Sequence, residues 1–234
     1  MPQKQWIVGP AGELPVDADG QPVASYSDQP AQPHPKVRRV SAEEVRALTG
    51  RAQRCFDPES LKVVAHLTNE ENLQFDPLSG LPLQAHPTRA GVRRTAEGAM
   101  VFPRIDPAVI GRVQLADSNY ILLGRNAQRS EYFSLIAGYV DLGETFEQAF
   151  AREVLEESGR RLTQVQYLRS QPWPFSSSIM VGMHAITEDE DPIRSTDGEL
   201  LETRWLSPDE LRRGVVPLPA EGSIAHALIQ EWCL

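Results

Sequence analysis

The residues best suited to chemistry lie in one stretch, GYVDLGETFEQAFAREVLEESG, from Gly138 to Gly159. Glu153, Glu156 and Glu157 crowd together there, with Arg152 immediately before them. On a helix, the apolar stripe that begins with Phe146, Ala149 and Phe150 continues through Glu153, Val154 and Glu157. Carboxylates therefore fall on the face that a purely structural helix fills with leucine or valine. Burying charge is costly unless something pairs with it, and like charges on one face repel. A solvated, glutamate-rich helix end is the plain alternative, but the phase is wrong for a solvated face. A divalent cation meets the requirement. Hard oxygens from several carboxylates, with water and substrate phosphate completing the shell, suit Mg²⁺ or Mn²⁺.

The elements that must position these groups can be read around them. Thr145 followed by Gln148 is a capping box, and Gly159 is the expected stop after the last turn. Asp106–Leu115 and the run NYILLGRN are apolar strands separated by a turn at Ala116-Asp117-Ser118, and Tyr132–Ala137 is a strand leading into the glutamate stretch. Gln164–Gln171, Ser178–Ala185 and Leu200–Leu206 read as strands after it. Ser207-Pro208 opens a short helix, and Ser223–Trp232 closes the chain as another. Earlier, Gln5–Val8 and Lys36–Val40 read as strands, with a proline-rich linker over 27–36. Ser41 with Glu44 caps a helix, and Pro58–Asn69 is a second helix with Leu61, Val64 and Ala65 on one face and Leu67 beside them. Residues 70–104, rich in proline and glycine, read as an irregular subdomain. Strands on both sides of the glutamate helix, with helices flanking them, predict a mixed α/β sandwich.

The whole chain narrows the classes. Its 234 residues are 41% hydrophobic and 24% charged, ordinary for a globular protein. The opening residues lack the pattern of a secretory signal, and no apolar run approaches the ~18 residues that cross a bilayer. Cys55 and Cys233 give no disulfide framework, so a reduced, cytoplasmic setting is the default. A net charge of −9 disfavours generic binding to a nucleic-acid backbone, though not the reading of a single nucleotide at an RNA end. His34, His66, His86, His184 and His226 show no metal-ligand spacing and read as structural.

The spacing Gly138, Glu144, Arg152-Glu153-Val154-Leu155-Glu156-Glu157-Ser158-Gly159 resembles the Nudix box, Gly-x5-Glu-x7-Arg-Glu-hydrophobic-x-Glu-Glu-x-Gly-hydrophobic. Only its last position differs, where Arg160 stands in for a hydrophobic residue, with Leu162 available to pack nearby. Downstream, SQPWPFSSS is similar to the SQPWPFPxS motif of the NADH pyrophosphatase subfamily of Nudix hydrolases, with Ser176 in place of a proline. Read without that context, the two prolines stiffen a loop that is either a hydrophobic plug or an aromatic platform for a flat ring.

The resemblance implies a Nudix α/β/α sandwich with a mixed sheet over 105–234, preceded by an N-terminal α/β domain (1–69) and a ribbon-like linker subdomain (70–104). It implies two or more Mg²⁺ or Mn²⁺ ions held by Glu153, Glu156, Glu157 and Glu199, with Glu202 as the rival to Glu199 and the carbonyl of Ala137 as a further ligand. One glutamate of the cluster is expected as general base, with Glu157 the first choice and the sequence leaving the others open; Arg152 orients the glutamates and Glu144 supports them. Gln171, Trp173, Phe175 and Ser178 would form the dinucleotide-binding loop. Tyr139 and Ala225 match substrate-contacting positions, and Arg38 and Phe102 are further matches. The family carries a zinc ribbon where this chain has Asp76, Ser79, Arg94 and Glu97. Arginine cannot ligate zinc, so no zinc is expected, and an Asp76–Arg94–Glu97 ion network is expected in its place.

The implied reaction is hydrolysis of NADH or NAD⁺ to NMN(H) and AMP, with the NAD-capped 5′ end of RNA as a larger substrate. ADP-ribose or another nucleoside diphosphate derivative is the second enzymatic reading. A catalytically weak nucleotide-sensing regulator is the third. A homodimer is implied by resemblance alone.

Overall fold

The computed structural model of the chain describes residues 2–30 and 36–234. The middle of the proline-rich 27–36 segment, with His34, lies outside the described residues. The chain divides into two compact units, Met1–Ile105 with Trp173–Ser178, and Asp106–Pro172 with Ile179–Leu234.

The first unit contains strands β1 (Pro2–Val8), β2 (Leu14–Pro15), β3 (Ser25–Pro30) and β4 (Lys36–Arg39), helix α1 (Ala42–Thr49), strand β5 (Ala52–Gln53) and helix α2 (Pro58–Asn72). Strand β1 lies between β3, antiparallel to it, and β4, parallel to it. The Ser41–Glu44 capping box forms as the sequence predicts, and Asp57 caps α2. Trp6, Val8, Leu14, Val16, Val63, Val64 and Leu67 make the core of this unit. Leu61 and Val64 of α2 are buried as expected, but the buried face also takes in Ser60, Val63 and Leu67, so that its centre lies earlier than expected and Ala65 is exposed. The same helical spacing serves either phase, and the sheet selected the one with the larger side chains.

Residues 70–104 are more regular than their composition predicts. Three short strands, β6 (Gln84–Ala85), β7 (Arg93–Arg94) and β8 (Met100–Val101), form an antiparallel sheet over buried Leu83 and Val92. Among the described residues no ion pair joins Asp76, Arg94 and Glu97, which corrects the expected network. Asp76 instead closes its own turn, accepting from the Leu78 and Ser79 N–H groups and, at 2.6 Å, from the Ser79 hydroxyl. Donors two and three residues away are reached without ordering a long side chain, so the local bonds win over a cation on another strand.

The second unit contains β9 (Asp106–Leu115), β10 (Ile121–Asn126), β11 (Ile136–Tyr139), α3 (Phe146–Ser158), β12 (Thr163–Trp173) but for its last residue, β13 (Ser178–Thr187) but for its first, β14 (Leu200–Leu206), α4 (Pro208–Arg212) and α5 (Ile224–Trp232). The sheet order is β12-β13-β9-β10-β14, with β11 also paired to β9. β9, β10, β11 and β14 pair antiparallel. β13 runs with β9, since Gly111 lies against the Met183 carbonyl and Ala116 N–H donates to Thr187 O further along both strands. The sheet is therefore mixed.

Alternation along the strands sorts side chains to two faces. Val109, Val113, Leu122 and Ile136 pack with Ala149, Phe150 and Val154 of α3. Ile110, Ile121 and Leu123 pack with Leu211 of α4 and with Ile224, Leu228 and Ile229 of α5. Helix, sheet and helix thus stack as an α/β/α sandwich. Two expectations shift. Phe146, first in α3, is 41% exposed, so the buried stripe starts at Ala149. Strand β11 starts at Ile136 rather than Tyr132, because the Phe133 N–H is taken by Pro217 O, outside the sheet.

Candidate active site

Helix α3 is fixed at both ends by local chemistry. Thr145 accepts from Gln148 N–H while the Gln148 side chain accepts from Thr145 N–H. Gly159 turns the chain out of the helix at φ 70°, a left-handed conformation, with its N–H on Leu155 O. The face between these ends rests on the sheet, and it carries Glu153 and Glu157 inward. Glu153 lies so close to β11 that a Cβ added at Gly138 would stand 1.9 Å from its carboxyl carbon. Glycine at 138 therefore makes room for a carboxylate.

Arg152 organises the neighbouring acids. Its Nε and Nη2 donate to the two oxygens of Glu144 at 2.8 and 3.0 Å, and Nη2 also reaches Tyr139 O at 2.9 Å. Its Nη1 bridges Glu153 Oε1 at 2.9 Å and Glu156 Oε2 at 3.1 Å. These charge-assisted bonds hold Glu144 below the usual carboxylate range and raise Arg152 further above its own. Burial lifts the pKa of Glu153, against the pull of Arg152.

Glu157 is the extreme case. It is 3% exposed, and its Oε1 is buried without a hydrogen-bond partner. Burial, then the charges of Glu199, Glu153 and Asp197, push its pKa up to about 9. Such a group needs either a proton or a nearby cation. Glu199 is held by Asn126, whose Nδ2 donates to Glu199 Oε1 at 2.8 Å. Its rival Glu202 is otherwise engaged: Arg125 Nη2 at 3.1 Å and Arg204 Nε at 2.5 Å both bond to it and keep its pKa low. Of the two, Glu199 is the one whose charge reaches Glu157 and Glu153.

Among the described residues no three His, Cys, Asp or Glu side chains stand gathered as a ready coordination shell. Glu153 and Glu156 are turned onto Arg152 instead. The donor set nevertheless fits a hard divalent cation. It is all oxygen, carries excess negative charge and contains the buried, unpartnered Glu157 Oε1. Ala137, half-buried on β11 opposite Ile110, and exposed Tyr139 lie on the strand beneath α3.

The other expected residues sit as follows. Gln171 uses its amide at the start of α5, donating to Gly222 O at 2.8 Å and accepting from Ile224 N–H at 2.7 Å. This brings it beside Ala225, whose side chain is buried in the core. In the first unit, Trp173 stacks on Phe56 with ring centroids 5.7 Å apart, and Phe175 meets Trp173 edge-on at 5.1 Å. Arg54 covers the Phe175 ring at 4.4 Å. Phe175 packs against the core of its unit, so this part of the aromatic loop is a hydrophobic plug. Ser176, in the motif's proline position, places its hydroxyl 3.0 Å from that of Ser178. Arg38 pairs with Glu44 at 3.6 Å, and Phe102 is 60% exposed. Sequence reasoning missed Asn126, Asp197 and Phe56. Asp197 could have been suspected from the DGE run that ends at Glu199; the other two carry no local signal.

An α/β/α sandwich with this glutamate helix is the architecture of the Nudix fold, and the NUDIX domain model matches residues 106–231. The chain belongs to the Nudix family. More specifically, it is 38% identical over 197 residues to the NAD-capped RNA hydrolase NudC of Mycobacterium bovis, covering 76% of this chain and 62% of the relative. It is 35% identical over 154 residues to the human NAD-capped RNA hydrolase NUDT12, covering 62% of this chain and 32% of that protein. The chain therefore spans 62% of the length of the NudC relative it matches. A NUDIX hydrolase structure from Nitrosomonas europaea aligns with a TM-score of 0.44 at 23% identity, over 58% of this chain and 79% of the other.

Proposed function

We propose that this chain is a metal-dependent pyrophosphatase that cleaves the diphosphate bond of NADH or NAD⁺, giving NMN(H) and AMP. NAD-capped RNA is a second substrate with the same scissile bond. The observation that carries the reading is the buried, unpartnered Glu157 among Glu153, Asp197 and Glu199. The names of the similar proteins support the dinucleotide.

Glu153, Glu156, Glu157, Glu199 and the Ala137 carbonyl would hold Mg²⁺ or Mn²⁺. A cation bound there supplies positive charge against the diphosphate and acidifies water. Arg152, braced by Glu144, holds Glu153 and Glu156 in place, where a cation would compete with it for their oxygens. Glu157 takes the proton of the attacking water. Burial among acids raises its pKa, so it could serve as that base only as the carboxylate, the form that a bound cation would favour. Gln171 fixes the start of α5 beside Ala225, while Trp173, Phe175, Ser178, Tyr139, Arg38 and Phe102 are assigned to substrate contact.

The division into 1–69, 70–104 and 105–234, a homodimer, a cytoplasmic location and the absence of zinc belong to the same proposal. Among the described residues no helix is long and apolar enough to cross a membrane. Glu157→Gln should abolish NADH cleavage, at least a hundredfold in kcat, with an unchanged circular dichroism spectrum. Near wild-type turnover would overturn the assignment.

A further inference from the structure

We infer that Arg160, where the Nudix box has a hydrophobic residue, is a positioning residue that sets where Asp197 and Glu199 stand relative to Glu157. The inference rests on the cation site proposed above.

Arg160 is 4% exposed, an uncommon place for an arginine. Its Nη1 donates to Ser158 O at 2.9 Å, one of the carbonyls left open at the end of α3. Its Nε and Nη2 converge on Glu190 O at 3.1 and 2.8 Å, and its guanidinium covers the Trp205 ring at 5.4 Å. Trp205 Nε1 donates to the same Glu190 carbonyl at 3.0 Å. One backbone oxygen thus receives three N–H groups and is pinned against the end of α3.

From that pin the chain is stitched back to the helix. Ile193 N–H donates to Gly159 O at 2.9 Å and Asp197 N–H to Glu156 O at 3.0 Å. The Asp197 carboxylate then accepts from Glu199 N–H at 2.9 Å. This tie matters because the segment is acidic: Glu188, Asp189, Glu190 and Asp191, with Arg194 as the one cation after them, precede Asp197 and Glu199, whose charges bear on Glu157. Like-charge repulsion drives such a segment away from the helix. Arg160 opposes that drift directly, and Arg161 helps by pairing with Asp189 at 3.2 Å. A leucine at 160 would fill the space but donate nothing. Ser158 O would lose this donor, and Glu190 O would keep Trp205 alone.

The test is a titration of the full chain with Mn²⁺ alone, read by electron paramagnetic resonance of the free ion, with a thermal melt of each variant. Arg160→Leu should weaken Mn²⁺ binding about tenfold, as loss of an outer partner of a metal site does. Arg160→Lys should be weakened less. In a Glu199→Gln background, Arg160→Leu should add little, because its effect passes through Glu199. An Arg160→Leu protein that melts lower but binds Mn²⁺ like wild type would overturn the inference, as would full additivity with Glu199→Gln. If Arg160→Leu does not fold, Arg160→Lys, which keeps the charge but cannot span Ser158 O and Glu190 O with one planar fork, is titrated in its place; wild-type affinity there overturns the inference equally. A wild-type chain that binds no Mn²⁺ would overturn the cation site itself, and the inference with it.

Discussion

At the scale of single residues, the site is defined by what Glu157 lacks. A carboxyl group that is 3% exposed, with one oxygen unpartnered and three acids bearing on it, is stable only when neutralised. Its folded pKa of about 9 lies above the unfolded value near 4.5, so the sign of the pH effect follows. The neutral carboxyl contributes its full stability below pH 4.5, and that contribution is lost as pH rises toward 9. In chelator, the wild-type chain should therefore lose about 1–3 kcal/mol more stability between about pH 5 and pH 8 than Glu157→Gln does. Denaturant melts at the two pH values measure this, and parallel losses would contradict it. The acids themselves were legible in the sequence because they break a hydrophobic stripe at a fixed phase. Asn126 and Phe56 were not, because each acts on a residue distant in the chain, Glu199 and Trp173 respectively, and only the fold brings the pairs together.

At the scale of elements, α3 was the most legible part, since both of its ends are set by local bonds that the sequence spells out. The phase of α2 and the start of β11 were not. Each was decided by a partner elsewhere in the chain, the sheet of the first unit for α2 and Pro217 for the residue before β11. The contact of β11 with α3 yields a sharp test. Gly138→Ala places a methyl where the Glu153 carboxylate now lies, 1.9 Å from its carbon. The far end of a flexible side chain can swing away, so the fold should survive with a melting temperature within a few degrees of wild type. NADH turnover should fall at least tenfold, because Glu153 can no longer rest in that position. Wild-type turnover in the Gly138→Ala variant would show that the position of Glu153 is immaterial.

At the scale of the whole molecule, the family domain and its sandwich followed from strand alternation and one motif, whereas residues 70–104 hid their sheet because two-residue strands leave no periodicity to read. In that segment Asp76 closes a turn with its own neighbours, and Thr95 does likewise through Ala99 N–H. Elemental analysis of the purified chain should find zinc well below one equivalent, and a chelator should leave melting of the first unit unchanged; stoichiometric zinc would contradict this. The central claim is the reaction. The most direct measurement incubates the chain with NADH and Mn²⁺, runs ADP-ribose in parallel, and separates the products by chromatography. The account predicts AMP and NMNH in equal amounts, formed faster than ADP-ribose is cleaved. Preferential cleavage of ADP-ribose would contradict the dinucleotide assignment, and cleavage of neither would contradict catalysis itself.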